Sequence, residues 1–330
     1  MPELPMPVAL FYNGNQGACP RSLCASRFYF RCLFLVTSGT NRMNPRRILV
    51  LGATGILGQP VVQALVSQGH PVRALVRSSQ RASQLLGNSV ECVEGNALAP
   101  MDVHRALSGC HAVHVNLTQQ AELDAMQNVV QVAAERGIER VSYVSATTAC
   151  EENRWFEVVD IKMRTEEVLV SSGIRYVIFC PTWVMETLQN FVHGGRGTVI
   201  IGRNPPKLHF VAAADFGRMV AASYLDERAV GKRLFIHGPE GVTLPNALER
   251  FYAACHPQLS VIRMKLWQAR LLARITRRVG LTYVTKLIDY FDRVGELGDP
   301  TEANSLLGTP SITLDEWFAT PRLLRHGLPH

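Results

Sequence analysis

No apolar stretch in this chain approaches the roughly 18–20 residues that a membrane-spanning helix needs. The longest suspicious one, residues 28–36, is short and broken by Arg31. Paired cysteines are missing too. The eight cysteines stand at 19, 24, 32, 92, 110, 150, 180 and 255, with no CxxC pair and no Cys/His cluster at zinc spacing. That argues against a disulfide framework and against a zinc module. The ten histidines are scattered and include no HExxH set, so no metal is expected. Thiols inside or at the ends of predicted strands read as small core residues and point to a reducing, cytoplasmic compartment. No internal repeat is visible. A charged fraction of 18% beside 47% hydrophobic residues excludes wholesale disorder. At 330 residues the chain can form one large α/β domain, alone or with a smaller lobe.

Acids are scarce in two places, and these account for most of the net charge of +7. In residues 1–47 Glu3 stands alone among Arg21, Arg27, Arg31 and Arg42. Residues 1–44 show no sustained period and read as an extension outside the fold: an unfolded leader, or sequence upstream of a start at Met43. Their basic, acid-poor composition partly fits an organellar transit peptide. The second place is 263–286, where Arg263, Lys265, Arg270, Arg274, Arg277, Arg278 and Lys286 occur with no acid between them. Met264, Trp267, Leu271, Ile275 and Val279 recur there at helical spacing. Such a helix could meet an anionic surface, membrane or nucleic acid. The ordinary arrangement, an apolar stripe packed on its own domain below a solvated arginine face, is the one expected. No nucleic-acid partner is predicted.

What the chain has is a short apolar strand running into Gly52-Ala53-Thr54-Gly55-Ile56-Leu57-Gly58, where a helix-like stretch begins. Glycines at this GxxGxxG spacing let a phosphate reach bare backbone N–H groups at the positive end of a helix. Gly52 would make the tight turn, Gly55 admit the pyrophosphate and Gly58 let helix pack on strand. The context supports that reading, because the turn opens a long βα alternation. Strands are predicted at 46–51, 71–77, 90–94, 112–116, 140–145 and 175–180. The intervening helices fall at 56–68, about 100–108, about 119–136 and 156–172. The predicted architecture is a doubly wound parallel sheet of the Rossmann type, spanning 45–240. A smaller, mostly helical C-terminal lobe is predicted over 241–330, with 182–210 contributing. Asp215 is expected to N-cap a helix over 216–226.

Several segments together resemble the NmrA-like branch of the atypical short-chain dehydrogenase/reductase superfamily. They are the glycine motif, Arg77, Tyr143-Val144-Ser145-Ala146, Lys162 with Glu166, Ser172-Gly173-Ile174-Arg175-Tyr176 leading to Pro181-Thr182-Trp183-Val184-Met185, and Ala214-Asp215-Phe216-Gly217-Arg218. The resemblance covers roughly residues 47–320. It implies a bound nicotinamide dinucleotide. At the end of the second strand an acid would hold the ribose of NAD(H), whereas this chain has Arg77 and no acid through Arg81. NADP(H) is therefore expected over NAD(H). The resemblance also assigns Asn96 to the adenine, Asn116, Leu117 and Thr118 to the ribose and nicotinamide, and Pro181 to the cofactor pocket.

The same resemblance places Ser145 and Lys162 where short-chain reductases keep a catalytic Ser and Lys. The tyrosine normally four residues before the lysine is Val158, so the usual phenol proton donor is missing. Three readings stay open. Lys162 acts as general acid/base in an NADPH-dependent oxidoreductase of a small molecule; the protein is a non-catalytic dinucleotide sensor; or it is an assembly factor that keeps the pocket and binds a protein partner. A purely structural role for Lys162, as an i, i+4 partner of Glu166, stands beside these.

Overall fold

Apolar residues fill both faces of the central strands, which is the pattern of a parallel sheet covered by helices on each side. The computed structural model describes residues 46–118, 120–191, 197–201, 206–277 and 279–320. Its strands are β1 (Ile48–Leu51), β2 (Val72–Val76), β3 (Val90–Glu94), β4 (Ala112–Val115), β5 (Arg140–Val144), β6 (Tyr176–Pro181), β7 (Gly197–Ile201), β8 (Leu208–His209), β9 (Lys232–Ile236), β10 (Gly241–Val242) and β11 (Ser260–Met264). Seven of them form one parallel sheet in the order β3-β2-β1-β4-β5-β6-β9. The order reverses between β1 and β4. In doubly wound sheets that switch point opens a crevice at the carboxyl ends of the strands.

The helices are α1 (Gly58–Ser67), α2 (Ser79–Leu86), α3 (Pro100–Leu107), α4 (Gln120–Arg136), α5 (Glu157–Ser171), α6 (Ala213–Ser223), α7 (Leu244–Cys255), α8 (Leu266–Thr276), α9 (Val279–Arg293), α10 (Thr301–Leu307) and α11 (Leu314–Phe318). Alternation along β1 sorts them into layers. Ile48 and Val50 face a core shared with α1, α2, α6 and α10, while Leu49 and Leu51 face one built by α3, α4 and α5. A third core lies in the C-terminal lobe, where Phe251, Tyr252, Leu314, Trp317 and Phe318 pack with Met185, Leu188 and Phe210. Among the described residues no helix is long and apolar enough to cross a membrane.

Several elements differ from the sequence reading. Residues 79–86, given no element from the sequence, form α2, which puts only Ala82 and Leu86 into the core; so narrow an apolar stripe is a weak periodic signal. Asp215 does not cap its helix. Helix α6 starts at Ala213, and Asp215, in its first turn, takes the backbone N–H groups of Ser311 (2.7 Å) and Ile312 (2.9 Å) and the guanidinium of Arg218 (3.1 Å). A buried carboxylate here ties the C-terminal segment to the helix. In the lobe, β11 breaks the expected helical run by pairing in parallel with β7.

The basic segment divides into α8 and α9, with Arg277 between them in the left-handed region at φ 51°. Its apolar stripe is not buried. Trp267, Leu271 and Ile275 are 58, 51 and 70% exposed, while the buried face of α8 consists of Ala269 and Ala273. Arg270 reaches Asp289 of α9 at 2.8 Å. Small residues allow close helix approach, so the alanine face won the packing and the larger side chains were left outside. Residues 1–44, Arg278 and the side chain of Val279 lie outside the described residues.

Candidate functional site

The carboxyl ends of the sheet strands bring the sequence-predicted residues to one rim: Gly52 after β1, Arg77 after β2, Asn96 beyond β3, Asn116 after β4, Ser145 after β5 and Pro181 closing β6. The glycine turn is the most constrained part. Gly52 has φ +75°, and a Cβ there would lie 1.8 Å from the Asn116 carbonyl oxygen. A Cβ on Gly58 would lie 2.0 Å from the Gly52 oxygen, so helix and turn touch backbone to backbone. Gly55 is exposed, and its N–H closes the turn onto Gly52 O at 3.0 Å. Between them Ala53 is buried, Thr54 accepts from the Gln59 amide at 2.9 Å, Ile56 is exposed and Leu57 is the N-terminal boundary of α1. No side chain caps the first turn of α1, and no acid lies in it. This positive, uncapped helix end suits the diphosphate of a dinucleotide.

Around that turn, Leu117 is half-buried and Thr118 exposed. Asn96 is exposed; its side-chain oxygen accepts from Leu98 N at 3.0 Å and its own N–H donates to Asp102 at 2.9 Å. The amide is thus fixed in a local turn just beyond β3. Arg77 is exposed at its strand end. The acid on the neighbouring strand, Glu94, accepts from Ser79 at 3.2 Å.

Beneath the far end of the rim lies a network of buried charge. Lys162 Nζ stands 3.1 and 3.2 Å from the two oxygens of Glu122 and donates to the Val144 carbonyl at 3.2 Å. The Glu122 side chain is only 3% exposed. Tyr143 donates its hydroxyl to the same carboxylate at 2.7 Å, and burial, then the Glu122 charge, pushes its pKa well above the usual phenol value. It therefore does not replace the tyrosine missing at position 158. Ser145 donates to Glu166, which also takes Arg233 at 2.9 Å; Arg233 in turn donates to the Ala149 carbonyl at 2.6 Å. Lys162 and Glu166 are not partners, although they are one helical turn apart. Each faces a different wall, Glu122 of α4 and Arg233 of β9. Burial also pushes the Cys180 thiol, beside this network, up to about 12.

Sequence reasoning missed Glu122 and Arg233. For Glu122 a signal existed: it precedes Ala125, Met126, Val129 and Ala133 on the buried face of α4. An acid in an apolar register rarely stays there without a partner. Arg233 lies in a strand whose neighbours carry no readable hint.

Toward the lobe, Trp183 packs edge-on against Phe291 with ring centroids 4.2 Å apart, and Met185 is fully buried.

A turn with no room for a Cβ at Gly52 or Gly58, opening an uncapped helix at the switch point of a doubly wound sheet, defines a Rossmann-type dinucleotide-binding protein. The chain belongs to the NAD(P)H-binding family, whose model matches residues 52–227. The resemblance to atypical short-chain reductases is borne out at that level. The chain is similar to the uncharacterized sugar epimerase YhfK of Bacillus subtilis, at 28% identity over 205 residues, 57% of this chain and 92% of that protein. It is 30% identical over 195 residues to the photosystem II assembly factor Ycf39 of Synechocystis, where the match spans 56% of each chain. The fold superposes on an NADPH-dependent quinone oxidoreductase of Escherichia coli in complex with NADPH, with TM-score 0.66, 21% identity, and coverage of 82% of this chain and 98% of that one.

Proposed function

We propose that this protein binds NADP(H) in preference to NAD(H) and is an oxidoreductase that reduces a small organic acceptor of the quinone class. The glycine turn carries the nucleotide part: its backbone has no room for a single Cβ at Gly52 or Gly58, and it leaves the N-terminus of α1 to an anion. Arg77 supplies the preference, because a guanidinium attracts a 2′-phosphate and offers nothing acidic to ribose hydroxyls. When bound, the nicotinamide supplies a hydride. On the protein side, Lys162 is a fixed cation below the rim at the end of β5, and no phenol stands at Val158 to force a proton onto the product. A quinone fits that deficit. Hydride addition leaves a delocalised hydroquinone anion, which takes its proton from water.

A second reading, a nucleotide-sensing regulator or assembly factor without turnover, is favoured by one observation. The Ser145 hydroxyl and the Lys162 ammonium are both engaged by buried carboxylates. The similarity to an assembly factor agrees with it. The free thiols at Cys92, Cys110, Cys150, Cys180 and Cys255 support a reducing, cytoplasmic location.

Calorimetric titration with NADPH and NADH separates the cofactors. Wild type should bind NADPH at least about tenfold more tightly, and Arg77→Ser should lose about 10- to 100-fold for NADPH alone, the worth of a hydrogen bond to a charged group. Equal affinities in the wild type overturn the preference. NADPH consumption with a panel of benzoquinones and naphthoquinones tests the reaction; tight NADPH binding with no turnover selects the second reading.

A further inference from the structure

His209, His237 and Glu296, far apart in sequence and in no recognisable spacing, converge beside the end of the sheet. Each offers a ligand atom, and these atoms lie within 4.8 Å of one another. We infer that they form a binding site for a divalent first-row transition metal such as Zn2+.

The elements that place them are well tied. His209 sits in β8, hydrogen-bonded to β10; His237 immediately follows β9; Glu296 follows α9. His209 Nδ1 is 2.6 Å from Glu296 Oε2, and His237 Nδ1 is 4.0 Å from that same oxygen. These distances bracket the separation of about 3.3 Å between neighbouring ligands of a tetrahedral ion with bonds of about 2.0–2.1 Å. The two rings stack with centroids 5.7 Å apart and planes 14° from parallel.

The surroundings are those that orient metal ligands. His237 Nε2 faces the Leu297 carbonyl at 3.3 Å. A carbonyl only accepts, so that nitrogen carries a proton, and in the neutral ring Nδ1 is an acceptor facing the carboxylate. Two acceptors facing each other at 4.0 Å call for a cation or a proton between them. The other Glu296 oxygen is held by the Thr182 hydroxyl and by His209 N at 2.5 Å, which aims Oε2 at the histidines. This is the outer-shell pattern of metal-bound His and carboxylate. Glu296 is 8% exposed, whereas the His209 side chain is 43% exposed and leaves an entry path. A His2Glu set leaves a fourth position for water or a substrate oxygen. Thr182 adjoins Pro181, so this position borders the rim described above without depending on the nucleotide reading.

The untagged 330-residue chain, stripped with chelator, should bind one Zn2+ by calorimetry, and Co2+ should give the visible absorption of a tetrahedral complex. His237→Gln and Glu296→Gln should each weaken Zn2+ by at least about a hundredfold, beyond the effect of losing an outer-shell partner. Thr182→Val, which removes only such a partner, should weaken it about 10- to 100-fold with stoichiometry kept. Circular dichroism and thermal melting of each metal-free variant report folding independently of any ligand. Wild-type Zn2+ binding no tighter than that of both glutamine variants, with the fold retained, overturns the assignment and leaves a hydrogen-bonded cluster.

Discussion

Gly52 is the position where one methyl group decides most. At φ +75°, with the Asn116 oxygen 1.8 Å from where a Cβ would be, Gly52→Ala must push β1 and β4 apart at the turn. NADPH affinity should fall by at least about tenfold while the sheet persists; fluorescence titration beside circular dichroism checks this, and unchanged affinity would place the nucleotide elsewhere. Lys162 matters for a different reason. Replacing it by Met leaves Glu122 charged and buried next to Tyr143, and removing one partner of a buried pair costs about 3–5 kcal/mol. Urea unfolding should reveal that loss, and Glu122→Gln added to Lys162→Met should recover part of it. A loss under about 1 kcal/mol would mean the pair is effectively solvated. Of this network, Ser145 and Lys162 were legible through family resemblance. Their partners were not, because the network joins α4, α5, β5 and β9, and no local period records such pairs.

Elements with a broad apolar stripe and a glycine stop were legible: α1, α4 and α5 all lie within two residues of their predicted bounds. The ones missed or misjudged have weaker local signals. Helix α2 buries two residues, and β11, mostly exposed, exists only because β7 lies beside it. Helix α8 shows how a period can mislead: its large apolar residues predict the buried side, yet Ala269 and Ala273 occupy it. Truncating Trp267 to Ala should therefore change stability by less than about 1 kcal/mol, the ordinary range for surface substitutions. Phe251→Ala, in the lobe core, should cost about 3–5 kcal/mol. Thermal melts of the two variants decide; comparable losses would show that the Trp267 face is covered in solution.

Across the whole molecule, the sheet holds one histidine that sets a limit in acid. His114, in the middle strand β4, is fully buried; its Nδ1 meets the Ser142 hydroxyl at 2.8 Å, and that hydroxyl meets Tyr224 at 2.8 Å. Burial lowers its pKa from 6.5 to about 3. Between those values the unfolded chain binds the proton and the folded one does not, so stability falls as pH drops from about 6.5 toward 3. The loss is on the order of a few kcal/mol. Urea midpoints measured from about pH 7.5 down to about pH 5 should decline, and His114→Asn should flatten the decline; an equal slope in the variant assigns it to other groups. The alternation of strands and helices, the parallel doubly wound class and the glycine turn were readable because each follows from short-range pattern: apolar runs, helix stops and residues without a Cβ; the strand order and its switch point came only with the fold. Which carboxylate meets Lys162, which face of α8 is buried, and how two histidines and a glutamate come together depend on packing between distant segments. Those outcomes belong to the folded chain, since close contact and loss of water, not adjacency in sequence, select the partners.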